Sequence, residues 1–525
     1  MNRSFQKVAH LDLKGMQPGR ELLLEWVERL AAFGYTGLLI EYEDRFPYRS
    51  PLARRGDEVW SPEFLRSLLE TARRAGLTVI PLQQTLGHLE YALRWDLHAA
   101  YRMPVGFPST LHLGSPDAKA WLKGLLVEMI TAHEDSPVIH LGMDEARSLG
   151  AYAKANGLDP LELFLSYLEE LCEICETHGK TPMIWSDMLE DHLSPENMTR
   201  ICSFRHRVIL AFWEYTASGK PVDTVRFSGR RCSRYWLENP GISGGPKLSK
   251  STLWIEEWHP SIAELVAPFR KGEAHFQSLF QAAVWKKLGF RVWGAGAASC
   301  SEDGPLIPMY HRRIANLDNW KQAVKEWHLD GLIVTAWQRA QTCSPPGIVP
   351  ELHSAMFWYG GLDSGHAALP AVEDARELFL KLGRCRESWW IEERLVKEME
   401  ARAPVAAMSD HEWEVLILML RIQEVRRAID MAIYQAERYL TGERLPACEW
   451  EARLLDLELA RKRLENLRGP ARDCLDERYA GDALEEWFEL VFDSYANAVA
   501  RLVCEITGKK DRATFYFSKQ PGDKR

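Results

Sequence analysis

The stretch Val138-Ile139-His140-Leu141-Gly142-Met143-Asp144-Glu145 decides how this chain is interpreted. It opens with apolar residues typical of a buried strand and ends on two adjacent carboxylates. Because a long amphipathic segment and Pro137 precede it, the pattern predicts one strand of an alternating strand–helix series. Parallel α/β barrels carry their chemistry at the C-terminal ends of such strands. Two acids there repel each other when both are ionised, which prepares one as an acid and the other as an anion.

Further strand patterns occur on both sides of this stretch and alternate with helical patterns. The helical segments begin at pairs such as Ser61-Pro62 and end at glycines such as Gly76, which are good start and stop signals. Eight strands that alternate with helices predict an α/β fold, a (β/α)8 TIM barrel. The predicted strands cover residues 8–15, 37–44, 78–87, 138–145, 182–189, 208–215, 291–299 and 331–339.

Two parts of the chain depart from this alternation. Residues 216–290 show weak strand patterns, with a helix expected near 271–287 and loops over the barrel mouth. Beyond about residue 369 only long helical patterns remain, separated by loops near Gly442, Pro446 and Gly469-Pro470. We therefore expect a barrel over residues 1–368, followed by an α-helical C-terminal domain over residues 369–525.

The composition narrows the class of protein. A net charge of -9 among 525 residues, without a basic cluster, argues against a nucleic-acid binder. The sequence shows neither a secretory h-region nor an apolar run of the ~20 residues that span a bilayer. The ten cysteines form no disulfide framework, and Cys172 and Cys175 fall in a helical pattern as core thiols. These observations favour a reducing, cytoplasmic setting.

The opening stretch also resembles a known motif. His140-Leu141-Gly142-Met143-Asp144-Glu145 is similar to the His-x-Gly-x-Asp-Glu signature of glycoside hydrolase family 20, the β-N-acetylhexosaminidases, and residues 140–150 resemble its hexosaminidase D branch. The resemblance implies substrate-assisted hydrolysis, in which the substrate's own 2-acetamido oxygen attacks the anomeric carbon. Glu145 would then be the general acid/base, and Asp144 the anion that holds the acetamido N–H. The alternative is a solvated acidic pair that caps the following helix.

The resemblance assigns supporting residues. His88, in Leu-Gly-His, resembles the family's Pro-Gly-His and would support Glu145. An acid from strand two would back His88, with Glu43 as the best candidate and Asp44 and Glu41 as others. A lone histidine is otherwise more often structural.

Aromatic residues near three strand ends complete the expected pocket. The family walls its acetamido pocket with tryptophans, and Trp185, Trp213 and Trp337 occupy such places, although one tryptophan at a strand end is more often core. Asp187 and Tyr215 each lie two residues beyond a tryptophan, hence on the same strand face. Tyr215 would position the acetamido oxygen, and Asp187 would bind a sugar hydroxyl or orient a neighbour.

The sequence departs from the better-known branch of the family at strands one and eight. That branch has an arginine on strand one, where this chain has Asp12 and Lys14, and Trp-x-Glu on strand eight, where it has Trp337-Gln338-Arg339. We interpret this as an exchange of charges, with Asp12 and Arg339 binding the 3- and 4-hydroxyls. A structural ion pair is the alternative. The preference for GlcNAc or GalNAc stays open.

The resemblance implies a retaining exo-β-N-acetylhexosaminidase that needs neither a metal nor an organic cofactor. Its substrate would be an oligosaccharide or glycoconjugate with a terminal N-acetylhexosamine, and the helical domain leaves a homodimer open. Alternatives are a two-carboxylate retaining β-glycosidase with Asp187 as nucleophile, and a sugar-binding barrel without turnover. A metal site formed by His140, Asp144 and Glu145 is a weaker alternative, with His140 otherwise in a supporting role.

Overall fold

The computed structural model divides the chain into two compact units. The first comprises Met1–Asp12, Gly34–Ala297 and Ala315–Thr335, and the second comprises Leu13–Phe33, Ala298–Ile314 and Ala336–Arg525. The second unit therefore includes three stretches of the range 1–368 that the sequence assigned to the barrel: Leu13–Phe33, Ala298–Ile314 and residues 336–368. The structure describes residues 5–16, 18–50, 59–106, 108–222, 224–227, 230–233, 259–271, 275–300, 303, 306–338, 374, 376–378, 380–382, 393–405, 408–440, 447–476, 478–479 and 482–507.

Eight strands close into a barrel, which confirms the predicted fold class. Their neighbour order around the barrel follows the chain for the first six strands and then closes through the last two back to the first. The barrel strands are β1 (Gln6–Asp12), β2 (Gly37–Glu41), β3 (Thr78–Leu82), β4 (Val138–His140), β5 (Thr181–Trp185), β6 (Ile209–Trp213), β11 (Arg291–Ser299) and β12 (Gly331–Ala336). Two short antiparallel pairs stand apart from them, β7 (Thr224–Phe227) with β8 (Arg230–Ser233) and β9 (Arg270–Lys271) with β10 (His275–Phe276).

Three of the helices between these strands begin at the Ser-Pro and Asp-Pro pairs that predicted them. The Ser61 hydroxyl accepts the N–H of Phe64, and the Asp159 carboxylate accepts that of Leu161. The helices are α1 (Arg20–Ala32), α2 (Pro62–Arg74), α3 (Glu90–Leu93), α4 (Pro116–Ala132), α5 (Arg147–Ala155), α6 (Pro160–Thr177), α7 (Asp187–His192), α8 (Pro195–Cys202), α9 (Pro260–Val266), α10 (Phe280–Lys287) and α11 (Tyr310–Trp327). The helix predicted over residues 271–287 is thus shorter, because β9 and β10 occupy its first part.

Several barrel strands end earlier than the sequence predicted. β3 stops at Leu82 and β5 at Trp185, so that His88 and Asp187 lie beyond the sheet. After β5 the N–H groups of Leu189 and Glu190 bond back to the Ser186 carbonyl, which turns the chain into α7 instead of prolonging the strand. The candidate site residues His88 and Asp187 therefore lie on a loop and at the start of a helix, where side chains of successive residues need not alternate between two faces.

The second unit contains long helices, as its apolar periodicity predicted. They are α12 (Glu393–Glu400), α13 (Asp410–Leu440), α14 (Ala447–Leu475), α15 (Asp482–Phe488) and α16 (Ser494–Thr507), with a π-helical turn at Glu489–Asp493 between the last two. The loops expected near Gly442 and Pro446 lie outside the described residues.

The loop predicted at Gly469-Pro470 is wrong, because α14 continues through it. On the two sides of the proline, Arg468 and Arg472 both lie over the ring of Phe488, at 5.9 and 3.9 Å from its centroid. They also form ion pairs with Asp493 and Glu485 respectively. These contacts hold the helix together where a proline alone would break it.

Two further expectations can be compared with the described residues. Cys172 and Cys175 are buried thiols of α6, as predicted, and burial raises the pKa of Cys172 to about 12. In the part of the chain that the structure describes, no helix has the length and apolar character needed to cross a membrane.

Candidate active site

The chain leaves strand geometry immediately after His140, as two acids reaching one ligand would require. Gly142, Met143 and Glu145 have φ angles of 63°, 72° and 45°, in the left-handed region that L side chains rarely adopt. The Gly142 N–H donates to Nδ1 of His140 at 3.0 Å, and its carbonyl accepts the N–H of Trp185 at 3.1 Å. The backbone that carries the two carboxylates is therefore fixed from both β4 and β5.

Gly87 brings the loop after β3 against this segment. A Cβ atom at Gly87 would lie 2.0 Å from the carbonyl oxygen of Asp144, closer than side-chain carbons come to such atoms. A Cβ at Gly142 would similarly meet Oε1 of Gln84 at 1.8 Å, while Nε2 of Gln84 donates to Glu41 at 3.0 Å. The glycine of each loop is thus required by close packing.

His88 links the two acids. Its Nε2 lies 3.2 Å from Oδ2 of Asp144 and 3.5 Å from Oε2 of Glu145, and its Nδ1 lies 3.9 Å from Oε1 of Glu90. Burial opposes its charge, but the carboxylates, Asp144 foremost, raise the pKa of His88 well above its usual value. The neighbouring carboxylates therefore favour the cationic form of the imidazole.

The carboxylate observed beside the second nitrogen of His88 is that of Glu90, and the support expected from Glu43 stays a prediction. Glu43 lies in the 3-10 turn Glu43–Arg45 after β2, where its charge bears on Tyr48 and Tyr91. The short helix α3 begins two residues after His88 and so supplies the Glu90 carboxylate.

Glu145 stands between two cations. The hydrogen bond from His88 and a second one from Arg147, whose Nη2 lies 2.7 Å from Oε1, lower the pKa of Glu145 to about 2 despite partial burial. Asp144 is buried, with 6% of its surface exposed. Within the described part of the chain, Oδ1 of Asp144 has no hydrogen-bond partner. A buried carboxylate oxygen in this condition favours a ligand that donates a hydrogen bond.

Asp187 stands next to the acid pair, at the first position of α7. Its Oδ2 accepts the backbone N–H of Glu145 at 3.0 Å. Burial, and then the charge of Asp144, raise the pKa of Asp187 to about 8. Asp187 is therefore mostly protonated at neutral pH, and it orients the backbone of Glu145.

The aromatic residues separate into two kinds. The rings of Trp213 and Tyr215 stack at 5.3 Å with an interplanar angle of 17°, and both side chains are partly exposed. Trp185, expected to wall the pocket, has no exposed surface and packs on the ring of His140 at 4.4 Å. In this structure Trp185 is a core residue, because no face of the indole is open to a sugar.

Of the two residues expected to bind the 3- and 4-hydroxyls, Asp12 and Arg339, the structure describes Asp12. Asp12 is fully buried at the end of β1, opposite Glu41 in the register with β2. In the second unit, Nζ of Lys14 lies 5.3 Å from the ring centroid of Trp337, a cation–π distance. Arg339 lies outside the described residues, so the proposed exchange of charges stays a prediction.

Three residues near the acids escaped the sequence reasoning. Arg147 is the first residue of α5, a helix that the sequence analysis did not predict. Glu90 and Gln84 stand on the loop after β3, where no periodic pattern marks them. For Arg147, its position only two residues after Glu145 in the sequence was the one signal that it could contact the acid.

The arrangement can give and take a proton at Glu145 and can hold a hydrogen-bond donor or positive charge at Asp144. His140 is turned away to Gly142 and Trp185, and burial lowers its pKa to about 3. Within the described residues, no group of three or more potential ligands is placed to hold a metal ion.

Sequence comparisons find relatives of this chain. Residues 35–224 match the model of the glycosyl hydrolase family 20 catalytic domain. The chain is 32% identical over 239 residues to Hexosaminidase D of Homo sapiens, covering 43% of this chain and 48% of that protein. It is 31% identical over 263 residues to Hexosaminidase D of Bos taurus, covering 48% of this chain and 75% of that one. The chain thus spans about half the length of the human relative.

Solved structures with some likeness include a chitobiase from Flavobacterium johnsoniae, at a TM-score of 0.43 and 13% identity, covering 97% of this chain and 73% of that one. Another is an N-acetyl-beta-hexosaminidase from Streptomyces plicatus, at a TM-score of 0.42 and 12% identity, covering 72% and 68%. These likenesses are weak, so the assignment of the family depends on the sequence relatives.

Proposed function

Because the chain belongs to glycosyl hydrolase family 20, we propose that it is a retaining exo-β-N-acetylhexosaminidase. It would remove terminal, non-reducing GlcNAc or GalNAc from an oligosaccharide or glycoconjugate. The observation that carries this proposal is the contact of one imidazolium, His88, with both Asp144 and Glu145. The names of the two Hexosaminidase D relatives agree with it.

In the first step, the acetamido oxygen of the substrate attacks the anomeric carbon and the glycosidic C–O bond breaks. Glu145 gives its proton to the departing oxygen, and Asp144 holds the acetamido N–H as positive charge develops on that nitrogen. In the second step, water attacks the anomeric carbon of the oxazolinium ion while Glu145 takes up its proton. The C–O bond to the acetamide breaks, and the product keeps the β configuration.

The free oxygen of Asp144 supports its role as anchor. This Oδ1 is buried and has no partner among the described residues, while Oδ2 is held by His88. A substrate N–H would satisfy it, since a buried carboxylate oxygen without a donor is costly. Trp213 and Tyr215 offer a partly exposed aromatic surface to the sugar ring and its methyl group.

The two-carboxylate alternative requires an ionised nucleophile. Asp187, its candidate, has a pKa raised to about 8 by burial and by Asp144, and its Oδ2 is occupied by the Glu145 N–H. A protonated carboxyl that already accepts a backbone hydrogen bond is a poor nucleophile. These observations favour the substrate's own acetamide instead.

Several finer assignments are part of the same proposal. Asp12 and Arg339 would bind the sugar hydroxyls, Trp337 would wall the acetamido pocket, and Lys14 would have a supporting role. The division into a catalytic barrel over residues 1–368 and a helical domain over 369–525, and the cytoplasmic setting, also stay proposals.

The experiment compares 4-nitrophenyl glycosides of β-GlcNAc, β-GalNAc and β-glucose. We expect hydrolysis of the acetamido sugars alone, and β-configured sugar as the first product in proton NMR. Glu145→Gln and Asp144→Asn should each lower the rate by ~10²–10⁴-fold, whereas Glu173→Gln, at an exposed position of α6, should not. Cleavage of the glucoside at a similar rate, or an α-configured first product, would refute the proposal.

A further inference from the structure

Arg147 combines a fixed backbone with an exposed charge. It is the first residue of α5, and its N–H donates to the Glu145 carbonyl at 2.5 Å. The next residue, Ser148, is buried, and a Cβ at Gly106 would meet its Oγ at 2.2 Å, so the loop after β3 packs on this helix start. The Arg147 side chain is nevertheless 74% exposed. Its guanidinium can therefore leave Glu145 without moving the helix.

The proposed chemistry requires Glu145 to carry a proton when the glycosidic bond breaks. In this structure a bond from Arg147 to Oε1 and the imidazolium of His88 near Oε2 both favour the carboxylate. The other carboxyl groups around Glu145 and Arg147 are those of Asp144, Asp187 and Glu90. Asp187 is mostly protonated, and Asp144 and Glu90 lie beside the two nitrogens of His88. Of the two cations beside Glu145, Arg147 is thus the one whose contact with the carboxylate can be broken.

We propose that Arg147 binds a negatively charged group on the leaving portion of the substrate, and that its transfer from Glu145 to that group lets the proton of His88 pass to Glu145. The inference rests on the proposed function, since it assumes that Glu145 is the acid. The proton moves from Nε2 of His88 to Oε2 of Glu145 and then to the glycosidic oxygen. No other reactant is needed.

The leaving group must carry a negative charge, because the guanidinium gives up an ion pair with Glu145 to bind it. A charge-assisted bond between a guanidinium and a carboxylate is replaced without loss only by another anion, such as a carboxylate, sulfate or phosphate. With a neutral leaving group, Arg147 would stay on Glu145 for more of the time and make protonation of the acid less favourable. The site would therefore prefer glycans that carry an acidic group next to the terminal N-acetylhexosamine.

The test uses two β-GlcNAc glycosides of nearly equal size, one of 4-hydroxybenzoate and one of 4-hydroxybenzamide. For the unmodified protein we expect kcat/KM to be about fivefold higher for the anionic glycoside, the scale of a solvent-exposed ion pair. Arg147→Ala should abolish this preference, and Arg147→Lys should restore part of it. For the neutral glycoside, Arg147→Ala should also shift the alkaline limb of kcat/KM to higher pH, because Glu145 then takes up a proton more readily.

Arg205→Ala is the matched control, because this exposed arginine lies just before β6, at the end of the strand opposite to the acids. It should leave both the preference and the pH profile unchanged. If Arg147→Ala lowers kcat/KM equally for both glycosides at an unchanged pH profile, the inference is wrong and the arginine is structural. If the unmodified protein cleaves neither glycoside, the proposed function itself fails.

Discussion

The backbone N–H of Glu145 donates to Oδ2 of Asp187 over 3.0 Å, so a carboxyl that follows β5 holds the residue that follows β4. Asp187 lies close enough to Asp144 for that charge to raise its pKa to about 8, after the larger effect of burial. A neutral carboxyl in this position can orient Glu145 without adding a third negative charge to the site.

Asp187→Asn should make the folded protein less sensitive to alkaline pH. The pKa of Asp187 rises from 3.8 to about 8 on folding, so its contribution to stability is complete below about pH 4 and is lost as the pH rises through 8. Asparagine is neutral throughout and can still accept the Glu145 N–H. We expect the Tm of the variant, measured by calorimetry, to exceed that of the unmodified protein increasingly between pH 4 and 9. Parallel Tm curves would contradict this, and Asp117→Asn, at an exposed site, provides the control.

Gly87→Ala should impair the site more than the fold. The added Cβ would lie 2.0 Å from the Asp144 carbonyl oxygen, so the two loops must separate. A displacement of about 1 Å can lower the rate ~10²-fold, and we expect a fall in kcat of this order with the barrel retained. Gly124→Ala is the control, because its Cβ meets nothing within 4 Å in α4 and should add ~0.5–1 kcal/mol to the free energy of unfolding. Unchanged kcat in Gly87→Ala would show that the close approach is unimportant.

Trp185 and Trp213 should respond differently to substitution. Trp185 is fully buried against His140, so Trp185→Phe should lower the free energy of unfolding by about 1–3 kcal/mol and leave KM nearly unchanged. Trp213 is partly exposed and stacks on Tyr215, so Trp213→Ala should raise KM about three- to tenfold, the scale of an aromatic contact. Urea unfolding and steady-state kinetics of both variants test the distinction, and a larger change of KM for Trp185→Phe would reverse it.

Pro470→Ala should stabilise the second unit. Pro470 lies inside α14, where it removes one backbone hydrogen bond, and proline is about 3 kcal/mol less favourable than alanine in a helix interior. We expect the midpoint of urea unfolding of the full chain to rise. Pro160→Ala is the control, since proline at the first position of α6 costs little. A lower midpoint for Pro470→Ala would mean that the proline is required by its surroundings.

The barrel could be predicted because hydrophobic periodicity and Ser-Pro or Asp-Pro caps are local properties of the sequence. The helix through Gly469-Pro470 could not, because Arg468 and Arg472 hold it by contacts with residues well beyond it in sequence. Local sequence signals predict that a proline ends a helix, and here tertiary packing overrides that prediction.

The acid pair could be predicted from its motif, but its surroundings could not. Whether a tryptophan at a strand end is exposed depends on neighbours such as His140, which the strand pattern does not specify. The position of Glu90 beside His88 depends on where β2 and β3 stop, and strand ends are the least certain part of a sequence pattern. Asp187 was expected on a strand face and instead begins a helix.

The left-handed residues after β4 have a consequence for how this protein could be made more heat-resistant. Met143 and Glu145 hold conformations that cost a non-glycine residue about 1–2 kcal/mol each. Glycine or asparagine at Met143 would relax the backbone, but it would also remove the packing of a fully buried side chain, which costs more, ~2–5 kcal/mol. Greater heat resistance therefore has to be sought away from this segment, whose torsions also aim the neighbouring carboxylates.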